Sequence, residues 1–384
     1  MNASAGPDEV AYLDNAASTP LCREAAEAMA PLHRELYANP TGAHCLARAT
    51  RRRIDDARDL MAEALGAEPG EIVFTGGGTE SDNLAVVGRY RRAGGVPVCS
   101  AIEHHAVLEP VEHLGGRVVA VDSTGVIDCE ALAAALDEDV TVVSVMLANN
   151  ETGMVQPLSR VAEVVRSAAP RAVLHTDAVQ AFPWLDVATA AAGAGMISVS
   201  AHKFGGPKGV GALVVRAGVE LSPLLLGGGQ EWGLRSGTHN AAGIVGMAAA
   251  AEVVVKNRDD QVVRLARLRD RLAGGVLGTV EGVVETGDRS AKVAGSVHLC
   301  FEGIESEALL FLLEDAGVYA SAASSCSSGA QDPSHVLAAM GYDRGLAGGS
   351  LRLSLGYETT ESDIDRALAA IPTAVARLRA HGPG

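Results

Sequence analysis

Residues 200–211 read Ser-Ala-His-Lys-Phe-Gly-Gly-Pro-Lys-Gly-Val-Gly. A run of small apolar residues, 196–199, delivers Ser200, His202 and Lys203 to a glycine-rich bend that cannot be helical. A strand-like run, 210–215, follows. A lysine held between polar neighbours on such a bend is placed to offer its amine for Schiff-base chemistry. Alone, it would read as a surface residue in a turn. A second group argues against that: Leu174-His175-Thr176-Asp177 ends another apolar run with an acid upstream of Lys203. Pyridoxal phosphate needs both groups, a lysine to condense with its aldehyde and a carboxylate to keep its pyridine nitrogen protonated.

The remaining candidates lie at similar places. The strand expected at 71–74 runs into TGGGTESDN (75–83) and then a helix to about Arg92. Strand, glycine turn and helix start, with Gly78 and Thr79 at the bend, form an anion cradle of backbone N–H groups, helix dipole and hydroxyl. It is neither a Walker loop nor a dinucleotide fingerprint, and alone it reads equally well as an ordinary turn. The strand expected at 96–101 ends in Glu103-His104-His105, where an imidazole can stack on a planar cofactor or relay protons. His105 reads better as a packed or exposed ring. The run 141–147 ends in Asn149-Asn150-Glu151, and Gln180 follows Asp177.

Strands thus alternate with helices from 71 to 216, and the polar residues gather at the strands' carboxyl ends. That is where open α/β sheets bind ligands, so the agreement of five strand ends outweighs any single motif. The strands are near-continuous apolar runs, as expected for a mostly parallel sheet covered on both faces.

A chain of 384 residues suggests two domains, and its 48% hydrophobic content suggests a sizeable core. Net charge −16 argues against nucleic-acid and anionic-membrane partners. The basic groups 51–53 and 89–92 read as solvated helix faces or a docking patch. Six scattered cysteines show neither zinc spacing nor a disulfide framework, which points to a reducing, cytoplasmic setting. The first ten residues carry acids and no apolar core, so a signal peptide is not expected. The apolar stretch 241–255 falls short of the ~20 residues that cross a bilayer. It reads as a buried helix, with a separate amphipathic connecting helix expected at 257–277.

Beyond it a β-α-β-α pattern marks a second domain. Its loop of small residues, Ser321-Ala322-Ala323-Ser324-Ser325-Cys326-Ser327-Ser328-Gly329, leaves one thiol unshielded, better suited to a thiolate nucleophile than to packing. The other five cysteines read as packing. Arg352 alternates with apolar residues in a strand at 350–355. It reads as a bidentate carboxylate binder or as a solvated arginine.

The stretches YLDNAAST, TGGGTESDN, EH (103–104), NNETG, HTDAVQ, SAHKFGGPKGVG, GGGQEWGLRSGT, SSCSSG, DPSHVL and LRLSLG together resemble the cysteine desulfurases, of the NifS and IscS type, in the class-V aminotransferase group. The resemblance runs from Tyr12 to about Thr360. It implies an α/β fold-type-I pyridoxal-phosphate enzyme, with a mostly parallel seven-stranded sheet in a large domain (12–256). A smaller α+β domain (257–384, with 1–11) is expected to carry the cysteine loop. It further implies that Lys203 forms the Schiff base, Asp177 pairs with the pyridine nitrogen, Gln180 meets the phenolic oxygen and His104 stacks on the ring. Gly78, Thr79, Ser200 and His202 hold the phosphate, and Thr238 reaches the phosphate of a second subunit in a homodimer. Asn150 and Arg352 hold the carboxylate of L-cysteine, and Cys326 takes up its sulfur as a persulfide for an acceptor protein. The alternatives are a selenocysteine lyase, another C–S lyase or aminotransferase, or a weakly active scaffold for the acceptor. Iron–sulfur assembly, tRNA thiolation, DNA phosphorothioation and a biosynthetic carrier all stay open as destinations. The sequence departs from the resemblance at His298, where Asn is usual, at Ala194-Gly195, and at Thr41-Gly42-Ala43. The first two are not expected to touch the chemistry.

Overall fold

The computed structural model describes residues 10–322 and 334–380. Seven strands form the central sheet, in the order Ile72–Thr75, Gly211–Val215, Met196–Ser200, Val173–Asp177, Val140–Ser144, Val96–Ser100 and Arg117–Val119. Gly211–Val215 runs antiparallel to both neighbours, and the pairings among the remaining strands are parallel. The order reverses between Val96–Ser100 and Val140–Ser144, and such a switch point opens a crevice at the strands' carboxyl ends. Helices cover both faces, so the central strands are buried throughout and their sequences show no alternation.

A second sheet of three antiparallel strands, in the order Ser350–Ser354, Ser296–Phe301 and Val283–Glu285, has its own core with Leu309, Leu313, Ile364 and Ile371. Ala11–Tyr12 pairs with Val318–Tyr319, which draws Leu13 into that core.

The two cores are joined by one helix, Ala241–Thr279, rather than by the two expected. Its first half packs in the large core through Met247, Ala250 and Val254, and its second half in the small one through Leu265, Leu272 and Val276. Composition changes near Asn257, but neither Gly nor Pro interrupts the backbone there, so the hydrogen-bond ladder continues. The expected boundary at 256/257 falls inside this helix. No described helix is long and apolar enough to cross a membrane. Cys99, Cys129 and Cys300 are buried, as expected of packing residues, whereas Cys45 is exposed and Cys22 half-buried.

Candidate active site

Gly78, Thr79, His104, Asn150, Asp177, Gln180, Ser200, His202, Lys203 and Arg352 line one cleft of about 500 Å³. Ten of the twelve residues singled out in the sequence therefore meet. Thr238 is exposed outside this cleft, and Cys326 lies outside the described residues.

Asp177 closes the strand Val173–Asp177, and its Oδ1 accepts the Val179 N–H at 2.8 Å. Burial raises its carboxyl to about 6, against the Val179 hydrogen bond and the charge of Lys203. A cation docked beside it would restore its charge. Lys203 follows the strand Met196–Ser200, and its Nζ donates to the carbonyls of Ala16 at 2.6 Å and Ala17 at 2.9 Å. Gln180 Nε2 donates to the same Ala16 carbonyl at 2.8 Å.

The cradle opens the helix Gly78–Ala93. Its N-cap, Gly77, offers no side-chain acceptor and sits at φ 150°, a conformation that favours glycine. A Cβ on Gly78 would lie 3.1 Å from Val179 Cγ2 and 3.4 Å from Ser200 Cβ, so a larger residue there would have to push the helix start and the strand ends apart by a few tenths of an ångström. Unspent N–H groups at the helix start and the hydroxyls of Thr79 and Ser200 suit a phosphate.

His104 caps the helix His105–His113, its Nδ1 accepting the Ala106 N–H at 3.1 Å, which leaves a neutral ring's proton on Nε2. Burial lowers it to about 4, with Lys203, His105 and His335 adding to the effect, so it is uncharged at neutral pH. His202 is likewise lowered to about 4, chiefly by burial.

Arg352 is not a solvated strand arginine. It is buried, and its Nη2 donates to Asp14 Oδ1 at 2.9 Å while Nη1 donates to the Asn150 carbonyl at 3.0 Å. His298, a departure not expected to matter, is Arg352's partner across the small sheet. It is fully buried and lowered to about 3, first by burial and then by Lys292 and Arg352, so it adds no charge behind the guanidinium.

Sequence reasoning gave no roles to the layer beneath. His175 lies 2.8 Å from Ser144 Oγ and 2.9 Å from Ser198 Oγ, and Asp82 Oδ1 is 3.7 Å from His175 Nε2. Burial, with the charge of Asp177, raises the Asp82 carboxyl, and burial raises Glu103. Periodicity could have found two of these: His175 stands two residues from Asp177 on the same strand face, and Asp82 one helical turn from Thr79.

A lysine and a buried carboxylate facing an anion cradle at the ends of parallel strands define a site for pyridoxal phosphate, and the residues present fit that group. The chain belongs to the aminotransferase class-V family, which it matches over residues 11–367. It is 46% identical to an IscS-like cysteine desulfurase of Mycobacterium tuberculosis over 385 aligned positions, covering 96% of this chain and 97% of that one. It is 40% identical to the cysteine desulfurase IscS of Dictyoglomus turgidum, covering 97% and 96%. Among solved structures, a NifS-like protein superposes with a TM-score of 0.89 at 36% identity, covering 96% of this chain and all of that one. SspA in complex with cysteine superposes at 0.76 with 31% identity, covering 91% and 99%.

Proposed function

We propose that this chain is a pyridoxal-phosphate-dependent cysteine desulfurase that converts L-cysteine to L-alanine and moves the sulfur to Cys326. The observation carrying this reading is that Lys203 and Arg352 line one cleft together with His104 and Asp177, and that they hold different parts of the segment 14–17, Lys203 the carbonyls of Ala16 and Ala17 and Arg352 the Asp14 carboxylate. It gives an amino acid's two ends separate partners.

Bound at Lys203, the cofactor supplies an electron sink that makes the substrate's Cα proton acidic. Asp177, charged when paired with the pyridine nitrogen, keeps that nitrogen protonated. Gln180 positions the phenolic oxygen, and Gly78, Thr79, Ser200 and His202 anchor the phosphate. Arg352 and Asn150 orient the carboxylate, which sets the Cα–H bond toward Lys203. The Lys203 amine would take the Cα proton as general base. His104, neutral and protonated on Nε2, would stack on the ring and shuttle a proton at the substrate's sulfur-bearing end.

The Cys326 thiolate attacks the substrate sulfur, as in thiol–disulfide exchange. An S–S bond forms, the Cβ–S bond breaks, and the electron pair stays with carbon. The balance is L-cysteine plus a thiol giving L-alanine plus a persulfide, with no outside oxidant. The persulfide then passes to an acceptor protein, of iron–sulfur assembly or another sulfur pathway. We read the enzyme as a cytoplasmic homodimer with a large unit at 12–256 and a small unit at 257–384 together with 1–11. Thr238, exposed on the loop after the buried Glu231, is the residue available to a second subunit's phosphate.

The test is the visible absorbance of the purified protein before and after L-cysteine, with alanine and sulfide assayed alongside. The expected result is a cofactor band that shifts as alanine appears. Cys326→Ala should keep the band and its shift yet form no persulfide. Undiminished turnover in that variant would remove Cys326 from the reaction.

A further inference from the structure

Residues 14–17 cross the cleft between its two cationic groups. Ala16 and Ala17 present carbonyls to Lys203, at 2.6 and 2.9 Å, and Asp14 presents its carboxylate to Arg352, at 2.9 Å. The ion pair is incomplete in one respect. Nε and Nη2 form one edge of a guanidinium, the edge a carboxylate grips with two parallel hydrogen bonds. Asp14 engages Nη2, while Nε is buried with no hydrogen-bond partner among the described residues. Asn150 Oδ1, on the neighbouring strand-end loop, is buried without a partner as well.

The two sides of the pair differ in freedom. Arg352 is fixed on the strand Ser350–Ser354, with its side chain 6% exposed, while the Asp14 side chain is 23% exposed and faces the cleft. The backbone around Asp14 is held on both sides. Ser354 N–H donates to Leu13 O at 2.7 Å, Asn15 N–H to Ser354 O at 3.3 Å, and Ala17 N–H to Asp14 O at 3.0 Å. Asp14 can therefore leave Arg352 only by rotating its side chain into the cleft, with no rearrangement of the segment.

We propose that Asp14 is a resident carboxylate that occupies half of the Arg352 fork in the ligand-free enzyme and is exchanged for the α-carboxylate of the substrate. This rests on the reading of the substrate as an amino acid bound through Arg352. The exchange makes Asp14 an affinity- and specificity-determining residue. It keeps Arg352 from standing unpaired in a buried site. It also sets a threshold that ligands with a carboxylate cross by filling both Nε and Nη2. An amine without a carboxylate leaves Asp14 in place and gains nothing from its removal.

The experiment uses the cofactor-loaded enzyme and its Asp14→Ala and Asp14→Asn variants. The cofactor absorbance is titrated with L-alanine and, in parallel, with isopropylamine, and KM is measured for L-cysteine. Removing the competitor should lower the half-saturating L-alanine concentration and the KM for L-cysteine about tenfold in Asp14→Ala, the scale of one hydrogen bond to a charged group. The drop should be smaller in Asp14→Asn, and isopropylamine should titrate as in the parent. If Asp14→Ala fails to fold or load, Asp14→Asn decides by the same sign. Unchanged or weakened L-alanine binding in the variants, with a parent that titrates normally, overturns the exchange. It would mean that Asp14 only holds Arg352 in place. A parent that responds to neither L-alanine nor L-cysteine overturns the exchange together with the amino-acid reading of the cleft.

Discussion

Asp177 must be charged to keep a pyridine nitrogen protonated, yet the ligand-free fold pushes its carboxyl from 3.8 to about 6 by burial. The folded state then favours the protonated acid. The stability this contributes is fully present below 3.8 and is lost as pH rises through about 6. Above that the ligand-free fold carries a buried charge, at a cost on the order of 2–3 kcal/mol. Asp177→Asn should therefore raise the melting temperature of cofactor-free protein at pH 7.5 and change it little at pH 4. The same substitution should shrink the further rise that the cofactor brings. Thermal melts of both forms at both pH values test this. A variant that melts below its parent at pH 7.5 without cofactor would show that Asp177 is already paired in the empty cleft. His104 and His202, both lowered to about 4, are neutral at pH 7.5 and become partly protonated only near pH 4, in parent and variant alike, so the difference between the two is left to the carboxylate.

At the scale of elements, the loop between Leu226 and Thr238 is a polar glycine run in the sequence, with no sign of what holds it. In the fold, Glu231 and Trp232 adopt left-handed backbone, at φ 46° and 53°, which costs a non-glycine residue on the order of 1–3 kcal/mol. Glu231 is the clamp. Its two oxygens take Arg58 Nη2 at 2.7 Å and Nη1 at 2.9 Å, together with the Phe74 N–H and His239 Nε2, both at 2.8 Å. Burial raises the Glu231 carboxyl, but the hydrogen bonds of His239, Arg58 and Phe74 and the Arg58 charge outweigh it and hold it at about 2. Its contribution is thus present above 4.5 and is lost as pH falls toward 2. Arg58→Met should cost about 3–5 kcal/mol in urea denaturation at pH 7, because it leaves a buried carboxylate short of its partner. A loss under 1 kcal/mol would mean that His239 and Phe74 suffice. Arg58 was not legible beforehand. It sits among Arg51, Arg52 and Arg53 on one helix, and those three are indeed solvent-exposed, so only the tertiary partner sets it apart. The strands were legible because burial on both faces leaves unbroken apolar runs, and their polar ends follow from sheet topology. Asp14 was not, because a carboxylate in a turn-forming segment looks the same whether or not an arginine 338 positions away meets it.

On the scale of the whole molecule, the cleft has walls from two cores: Lys203 and Asp177 belong to the large sheet, Arg352 to the small one. One helix of 39 residues, roughly 58 Å long at 1.5 Å per residue, is embedded in both cores. It makes the relative placement of the two walls a property of helix stiffness rather than of a loop. Arg264 reinforces the junction by donating to the carbonyls of Tyr357 and Thr359, at 2.7 and 2.6 Å. If the helix sets the geometry, a break between its two buried halves should damage the site without touching any residue in it. Asp259 is exposed and lies between Val254 in one core and Leu265 in the other. Asp259→Pro removes a backbone donor and should cost about 3 kcal/mol, whereas Asp259→Ala should be neutral within about 0.5 kcal/mol. The proline variant should still load cofactor, since Lys203, Asp177 and the phosphate cradle lie within the large core. It should lose affinity for L-cysteine, whose carboxylate needs Arg352 from the other wall. A KM that rises at least tenfold with the cofactor band intact is the expected signature. Equal loss of cofactor and substrate binding would instead mean that the two cores fold as one unit and that the helix is not what holds the walls in register.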